Sequence, residues 1–478
     1  MTTPIESPSS PESINRREAL AKGGRIAGAS ALAGVAIPHV HAADDLTRKL
    51  ALVGCGGRGT GAALNALSQS AELGPVKLVA MADVFEDRLE ASHRAISSKD
   101  PGNTKVDVPA ERKFLGFDAY KKAIDVLSPG DIAICATPPA FRWLFFEYAI
   151  DKGVHVFMEK PVSVDGPSTK KIFELSAKAD EKNLKVGIGL MCRHCEARGE
   201  LAERIHGGEI GDIHLLRAYR MQGPIASSFS PPKPDSDMTD LEYQIRRFHS
   251  FLWLSGGSFS DFFIHNIDEA CWMKDAFPVS AQAIGGRHYR EDDAIDQNFD
   301  SYSVEYTFED GAKFFLGGRN MLGVHKEFAT YVHGTKGSAV CSTSSHSPAH
   351  PRIFSDQNIE YNHRKPSDNL VWSWNGGDRS KREPNPYELE WADLLLAIRD
   401  DLPYNEALRG GEASLATAMG RMAAHTGQVI TRDMILAEGM EMAPNLRDLT
   451  YEAKPPVEPD ENGVYPVPEP GRKKLMEY

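Results

Sequence analysis

Three groups of residues in this chain have types and spacings that chemistry uses. The first is Gly54-Cys55-Gly56-Gly57-Arg58-Gly59, a GxGxxG run directly after an apolar strand and opening a helix. In that setting Gly54 permits a tight turn, Gly56 lets backbone approach a pyrophosphate, and Gly59 lets helix and strand pack closely. The first-turn amides of that helix and its dipole attract phosphate, and Gly57 and Arg58 belong to the same expected cofactor-binding run. Asp83 lies 24 residues beyond Gly59, at a strand end. A carboxylate there accepts both ribose hydroxyls and repels a 2′-phosphate, so the expected cofactor is NAD, with NADP less favoured.

The second group is Glu159-Lys160-Pro161, at the carboxyl end of a strand, where open α/β sheets place ligands. A lysine beside a nicotinamide could polarise or orient a substrate hydroxyl. The third is a polar stripe, Asp261, His265 and Asp268, at i, i+4 and i+7 of a helix that is otherwise apolar on most of its face. Buried polar groups must be satisfied, so the stripe is either a hydrogen-bonded core network or a site. Histidine titrates near neutrality and suits proton removal from an alcohol as hydride leaves. Asp261 could orient that imidazole or bind substrate.

The elements that must position these groups are legible around them. Apolar strands are expected at 49–53, 76–82, 131–136, 154–158 and 185–190, alternating with helices that begin near 62 and then run over 118–127, 142–152 and 168–182. That alternation means a parallel sheet wound with right-handed crossovers. Beyond about residue 212 the texture changes. A strand over 213–221 precedes a polar, Pro-rich stretch, 222–251, expected to be a long loop over a site. A helix over 258–274 follows, then strand-like runs at 280–285, 301–308, 312–318, 327–333 and 338–341, then helices over 386–400 and 411–426. The fold class is therefore an α/β Rossmann domain plus an α+β domain whose sheet is mostly antiparallel.

The chain has 478 residues, 41% hydrophobic and 25% charged, and a net charge of -13. Such acidity argues against a nucleic-acid partner, because phosphate backbones require a basic face. Residues 1–42 read as an export signal: the Arg16-Arg17 pair, a mild Gly/Ala-rich apolar run over 26–37, and a small-residue site ending at Ala42. The mature chain is then expected to start at Ala43, exported folded by the twin-arginine machinery to the periplasm, without a membrane anchor. An exported nicotinamide enzyme should hold its cofactor tightly. The domain plan is 1–42 signal, 43–190 Rossmann, 191–451 substrate and oligomerisation domain, and 452–478 a surface tail. The six cysteines are expected to be packing residues. Cys192-x-x-Cys195 lacks a second CxxC or a His pair to complete a zinc site, so no metal is expected.

Taken together, these residues resemble the Gfo/Idh/MocA family, the glucose–fructose oxidoreductase and inositol dehydrogenase superfamily. The resemblance covers about residues 48 to 430. It rests on the glycine run, on Ala136-Thr137-Pro138-Pro139, on Glu159-Lys160-Pro161, and on Gly256-Gly257 followed by Asp261-x-x-x-His265-x-x-Asp268. It implies an open-faced sheet in the second domain, often used for homo-oligomerisation, and pyranose or cyclitol substrates. It implies Lys160 and His265 as the catalytic pair with Asp261 assisting, and cofactor contacts from Thr137, Pro138, Glu159 and Lys160. One departure is Arg142, standing where the family often has histidine a few residues after the Thr-Pro. Arg193 and His194, and the aromatic residues Phe248, Phe251 and Trp253, are further positions for sugar contact. The expected reaction is hydride transfer between a sugar or cyclitol secondary hydroxyl and bound NAD. The alternatives are a NAD-dependent glycosidase or lyase acting through a transient keto-sugar, and a non-catalytic periplasmic sugar-binding protein of the same fold.

Overall fold

The computed structural model describes residues 47–478, apart from 235–236, 289–294, 344, 361, 363–364, 366, 379, 381 and 475. The export signal and the start at Ala43 lie outside the described residues. No described helix is long and apolar enough to cross a membrane.

The first strands, β1 (Arg48–Val53) and β2 (Val76–Asp83), are buried along most of their length, as continuous apolar runs must be when helices cover both faces. Helix α1 (Gly57–Leu67) begins in the glycine run itself, five residues before the apolar stripe at Ala62 suggests. Helix α2 (Glu86–Ser97) and strand β3 (Lys113–Leu115) are additions to the sequence reading. The helix is mostly polar and buries only Leu89, Ser92 and Ile96, while the strand is three residues at a sheet edge. Then come α3 (Ala119–Asp125), β4 (Ile132–Cys135), α4 (Arg142–Asp151), β5 (His155–Met158), α5 (Gly166–Glu181) and β6 (Val186–Ile188). Helix α5 starts on a capping box: Asp165 accepts from the Ser168 amide at 2.7 Å.

Among the described residues these strands form one parallel sheet, ordered β3-β2-β1-β4-β5-β6. The winding reverses between β1 and β4, which opens a crevice at their carboxyl ends. The glycine run, Thr137 and the Glu159-Lys160 pair all leave strands at that edge.

Helix α6 (Glu196–His206) leads to β7 (Ile213–Gln222). The stretch expected to be a long loop instead contains helix α7 (Asp240–Arg246), capped by Thr239, and short turns over Phe248–Ser250 and Leu252–Ser255. Seven residues are too few for helical periodicity to show against polar, Pro-rich flanks. Helix α8 (Gly257–Lys274) follows, buried nearly all round. Strands β8 (Ser280–Gly286), β9 (Ser301–Thr307), β10 (Lys313–Asn320), β11 (Glu327–Gly334), β12 (Ser338–Ser342), β13 (Arg352–Phe354) and β14 (Leu370–Ser373) precede helices α9 (Pro386–Arg399) and α10 (Ala407–Thr426), strand β15 (Ile430–Thr431) and helix α11 (Arg432–Glu438).

The second sheet runs β14-β13-β12-β11-β7-β10-β9-β8-β15. It is antiparallel except where β10 lies parallel to β7. One face packs Tyr302, Val304, Tyr306, Phe314 and Leu316 with α8 and α10 in a single apolar cluster. The other face is open, with Ile284 and Phe315 exposed.

Sequence order and packing part company in two places. Trp391, Leu394, Leu395 and Ile398 of α9 join Leu50, Ile132 and Phe157 in the core of the first sheet, although they lie deep in the segment assigned to the second domain. The tail from Lys454, expected to lie on the surface, is mostly exposed but is fastened where Val457, Tyr465 and Glu477 are buried. Glu477 pairs with Arg421 at 2.8 Å and lies 2.5 Å from His425 Nδ1, so a buried ion pair and a hydrogen bond hold a tail whose composition alone would leave it free.

Candidate functional site

The glycine run makes a turn that only its residues permit. Gly54 has φ +96°, and a Cβ there would lie 2.7 Å from the Ala136 carbonyl carbon. A Cβ on Gly59 would lie 2.0 Å from the Gly54 oxygen, so the helix can close on the strand only without one. At Gly56 a Cβ would meet no protein atom within 4 Å. Its space belongs to a cavity of about 370 Å³, lined by Gly54, Gly56, Gly57 and Arg58 together with Thr137 and Pro138. Asp83 is in the same wall. Its carboxylate accepts from the Cys55 amide at 2.6 Å and the Phe85 amide at 2.9 Å, which fastens the turn to the end of β2. These features fit a dinucleotide: backbone amides without a side chain in front of them, a helix N-terminus, and a carboxylate one strand away. Arg58 is turned aside. Its Nε donates to Glu159 Oε1 at 2.6 Å and its guanidinium lies 4.5 Å over the Tyr387 ring.

A second cavity of about 240 Å³ shares Arg58, Ala136, Thr137, Phe248 and His249 with the first. Lys160, Asp261 and His265 all line it, so the structure brings together an ammonium from the first domain and a carboxylate and imidazole from α8. Lys160 Nζ donates to the Asp261 carbonyl at 2.7 Å and lies 3.7 Å from its carboxylate. Burial pulls the ammonium below its ordinary value, against Asp261 and Glu159. Burial would raise the Asp261 carboxyl, but Lys160, His249 and Arg142 outweigh it and hold it well below the usual carboxylate range. His265 is pushed far below the ordinary imidazole value, chiefly by burial and then by the neighbouring His346, Lys160 and Arg220. It is therefore neutral, and its Nδ1 is buried without a hydrogen-bond partner. Asp261 does not orient this ring. Its carboxylate faces Lys160 and, at 3.4 Å, His249 Nε2.

Arg142 explains itself in the structure. The buried guanidinium donates to the Thr137 carbonyl at 3.1 and 2.8 Å, to the Glu159 carbonyl at 2.5 Å, and to the Pro161 carbonyl. It locks the loop after β4 to the loop after β5.

Arg193 and His194 are not brought to this cavity. Arg193 forks onto Asp268 with contacts of 2.8 to 3.1 Å, which also removes Asp268 from the stripe on α8. His194 Nδ1 lies 2.7 Å from Asp393, and Nε2 lies 3.4 Å from Glu406. Burial would lower His194, but Glu406 and Asp393 push it up to about 10. Both residues are consumed by buried ion pairs. Phe251 and Trp253 are core residues with no exposure, whereas Phe248 does line the site.

The sequence reading missed His249, His346, Arg220 and Tyr387, all of which line the second cavity. The first three stand alone among residues of another character, on strand or loop segments whose convergence depends on the whole fold. Arg220 does carry a local signal: it falls in the buried alternation Leu216, Ala218, Arg220 of β7. The histidine partner absent from the sequence near Cys192 also comes from afar. Ligand atoms of Cys192, His265 and His346 lie within 4.8 Å of one another. Cys192 Sγ is 3.7 Å from His346 Nδ1, and burial pushes its thiol up to about 12. Cys195 instead faces Arg198, and all six cysteines are free and buried.

A doubly wound sheet with a glycine turn at its switch point, opposed across one cleft by an open-faced sheet domain, defines a two-domain protein of the dinucleotide-binding class. The comparisons place it further. Residues 48–190 match the family model described as oxidoreductase family, NAD-binding Rossmann fold, and residues 199–340 match the GFO/IDH/MocA C-terminal domain. The chain belongs to the GFO/IDH/MocA family. It is 24% identical over 143 residues to inositol 2-dehydrogenase of Corynebacterium glutamicum, covering 30% of this chain and 40% of that protein. The chain thus spans less than half the length of the curated relatives it matches. Among solved structures, levoglucosan dehydrogenase in complex with NADH and levoglucosan has a TM-score of 0.59 at 17% identity, and aldose-aldose oxidoreductase from Caulobacter crescentus has 0.58 at 16%. Each covers 80% of this chain and 99% of its own, a likeness of fold.

Proposed function

We propose that this protein is an oxidoreductase that moves hydride between a secondary hydroxyl of a sugar or cyclitol and a tightly held NAD. One observation carries the reading: Lys160, Asp261 and His265 converge in a cavity that shares walls with the cavity of the glycine turn. Glycine-turn amides and the α1 N-terminus hold the phosphates, and Asp83 takes the ribose hydroxyls and favours NAD over NADP. When bound, the nicotinamide supplies the two-electron acceptor. Lys160, fixed by Asp261, faces the substrate oxygen and stabilises the charge that grows on it. His265, neutral and with Nδ1 free, takes the hydroxyl proton as the carbon gives up hydride. Arg142 keeps the Thr137 and Lys160 loops in one register throughout.

The Arg16-Arg17 signal supports export of the loaded protein to the periplasm through the twin-arginine route. Exposed Ile284, Phe315 and Val429 around the open sheet face support a homo-oligomer joined there. The reading is tested by denaturing purified protein and identifying released nicotinamide, then screening sugars against the loaded enzyme. Near-stoichiometric NAD(H) and a cofactor-dependent turnover are expected. Protein that neither carries nor binds a nicotinamide overturns it.

A further inference from the structure

The most anomalous group in the cleft is Arg220. Strand β7 turns Leu216, Ala218 and Arg220 toward α8, so an arginine occupies what the alternation makes a core position. Its neighbours in register are Gly318 of β10 and Phe328 of β11. The guanidinium lies 3.8 Å over the Phe328 ring and is only 8% exposed. Nε and Nη1 are buried without hydrogen-bond partners, and no carboxylate among the described residues pairs with it. Burial with no opposing acid pulls it down to about 10. A buried cation left in this state is a standing cost unless something anionic meets it.

The surroundings say what that something is. The cavity wall holds four cationic side chains, Arg58, Arg142, Lys160 and Arg220, against two acidic ones, Glu159 and Asp261. Three of the cations are committed: Arg58 to Glu159, Lys160 to Asp261, and Arg142 to backbone carbonyls. Arg220 is outside the wall of the glycine-turn cavity, so its charge is not reserved for the cofactor's phosphates. The Cys192, His265 and His346 cluster beside it has a metal-like spacing, but the cationic side chains Arg220, Arg198 and Lys160 bear on its two imidazoles. That field repels a divalent cation and attracts an anion. One uncommitted planar guanidinium matches a planar carboxylate.

We propose that Arg220 binds the carboxylate of a carboxylated sugar, so that the substrate class is a uronate-type saccharide rather than a neutral one. This rests on the oxidoreductase reading above and names its substrate. An anion at Arg220 would also weaken the positive field that bears on His265, coupling substrate charge to the base.

The test compares glucuronate, glucose 6-phosphate and glucose as substrates of the NAD-loaded enzyme, alongside thermal shifts of the loaded protein with each. Glucuronate should exceed glucose in kcat/KM by at least about tenfold, mainly through KM, and give the larger thermal shift. Arg220→Met should collapse the glucuronate-to-glucose ratio by about tenfold or more without lowering the unliganded melting temperature, a result that a merely structural arginine would not give. Should that variant not fold, Arg220→Lys, which keeps charge but loses the fork, should raise the KM for glucuronate. Equal or better use of glucose, preference for glucose 6-phosphate, or no Arg220-dependent thermal shift with glucuronate overturns the proposal. Failure to bind NADH sinks the earlier reading instead, whereas an enzyme that oxidises glucose but ignores glucuronate sinks only this one.

Discussion

The two halves of the cleft are built by different means. The cofactor half is made of backbone: a turn whose shape follows from Gly54 and Gly59, amides left bare at Gly56, and one carboxylate, Asp83, fastened by two amides. The substrate half is made of side chains drawn from the end of β5, from β7, α8 and loops more than a hundred residues apart, with Lys160, Asp261 and His265 shifted by burial and by the charges around them. Local sequence can write the first kind of site. The second exists only after folding.

That contrast can be broken or sharpened by substitution. The largest effect is expected at Lys160: Lys160→Met should lower kcat by about 10²- to 10⁴-fold while a fluorescence titration shows NADH binding nearly intact. Parallel loss of NADH would mean the halves are not separable. Next is Gly59→Ala, whose Cβ would collide with the Gly54 oxygen. Cofactor affinity should fall roughly a hundredfold, the upper end of overpacking costs, in the same titration. Asp83→Ala should be smaller and selective, narrowing the preference for NADH over NADPH by about tenfold as measured by paired binding curves. Arg88, in the same cavity wall, remains to meet a 2′-phosphate.

The smallest effect concerns a residue outside the site. His194 has a folded value raised to about 10 against an ordinary 6.5, so its stabilising charge is fully present below about pH 6.5 and is lost as pH rises through 10. The melting temperature should decline between pH 7 and 10 by a few degrees, and His194→Gln should flatten that slope.

The same contrast explains what could be read beforehand. The wound sheet, the glycine turn, Asp83 and the polar stripe on α8 follow from periodicity and spacing within short windows. Arg193 and His194 were plausible by position after β6, yet their partners, Asp268, Asp393 and Glu406, lie 75 to more than 200 residues away. His249 and His346 could not be assigned, because nothing near them in sequence says which cavity they meet. Arg220 could have been: a lone guanidinium in the inward register of a strand is a local contradiction, and such contradictions mark function.

One apolar cluster has a further consequence for motion. It runs without interruption from Phe145 and Leu144 of α4, through Trp253 and Ile264, to Met442 and Tyr465, so the two domains share a core rather than meet at a wettable seam. Hinged opening like a jaw would expose that shared oil to water. Admission of a ligand must then depend on small excursions of side chains such as Phe248 and His249, and the lobes should keep one mutual orientation whether empty or filled. Small-angle scattering profiles with and without ligand should therefore superimpose.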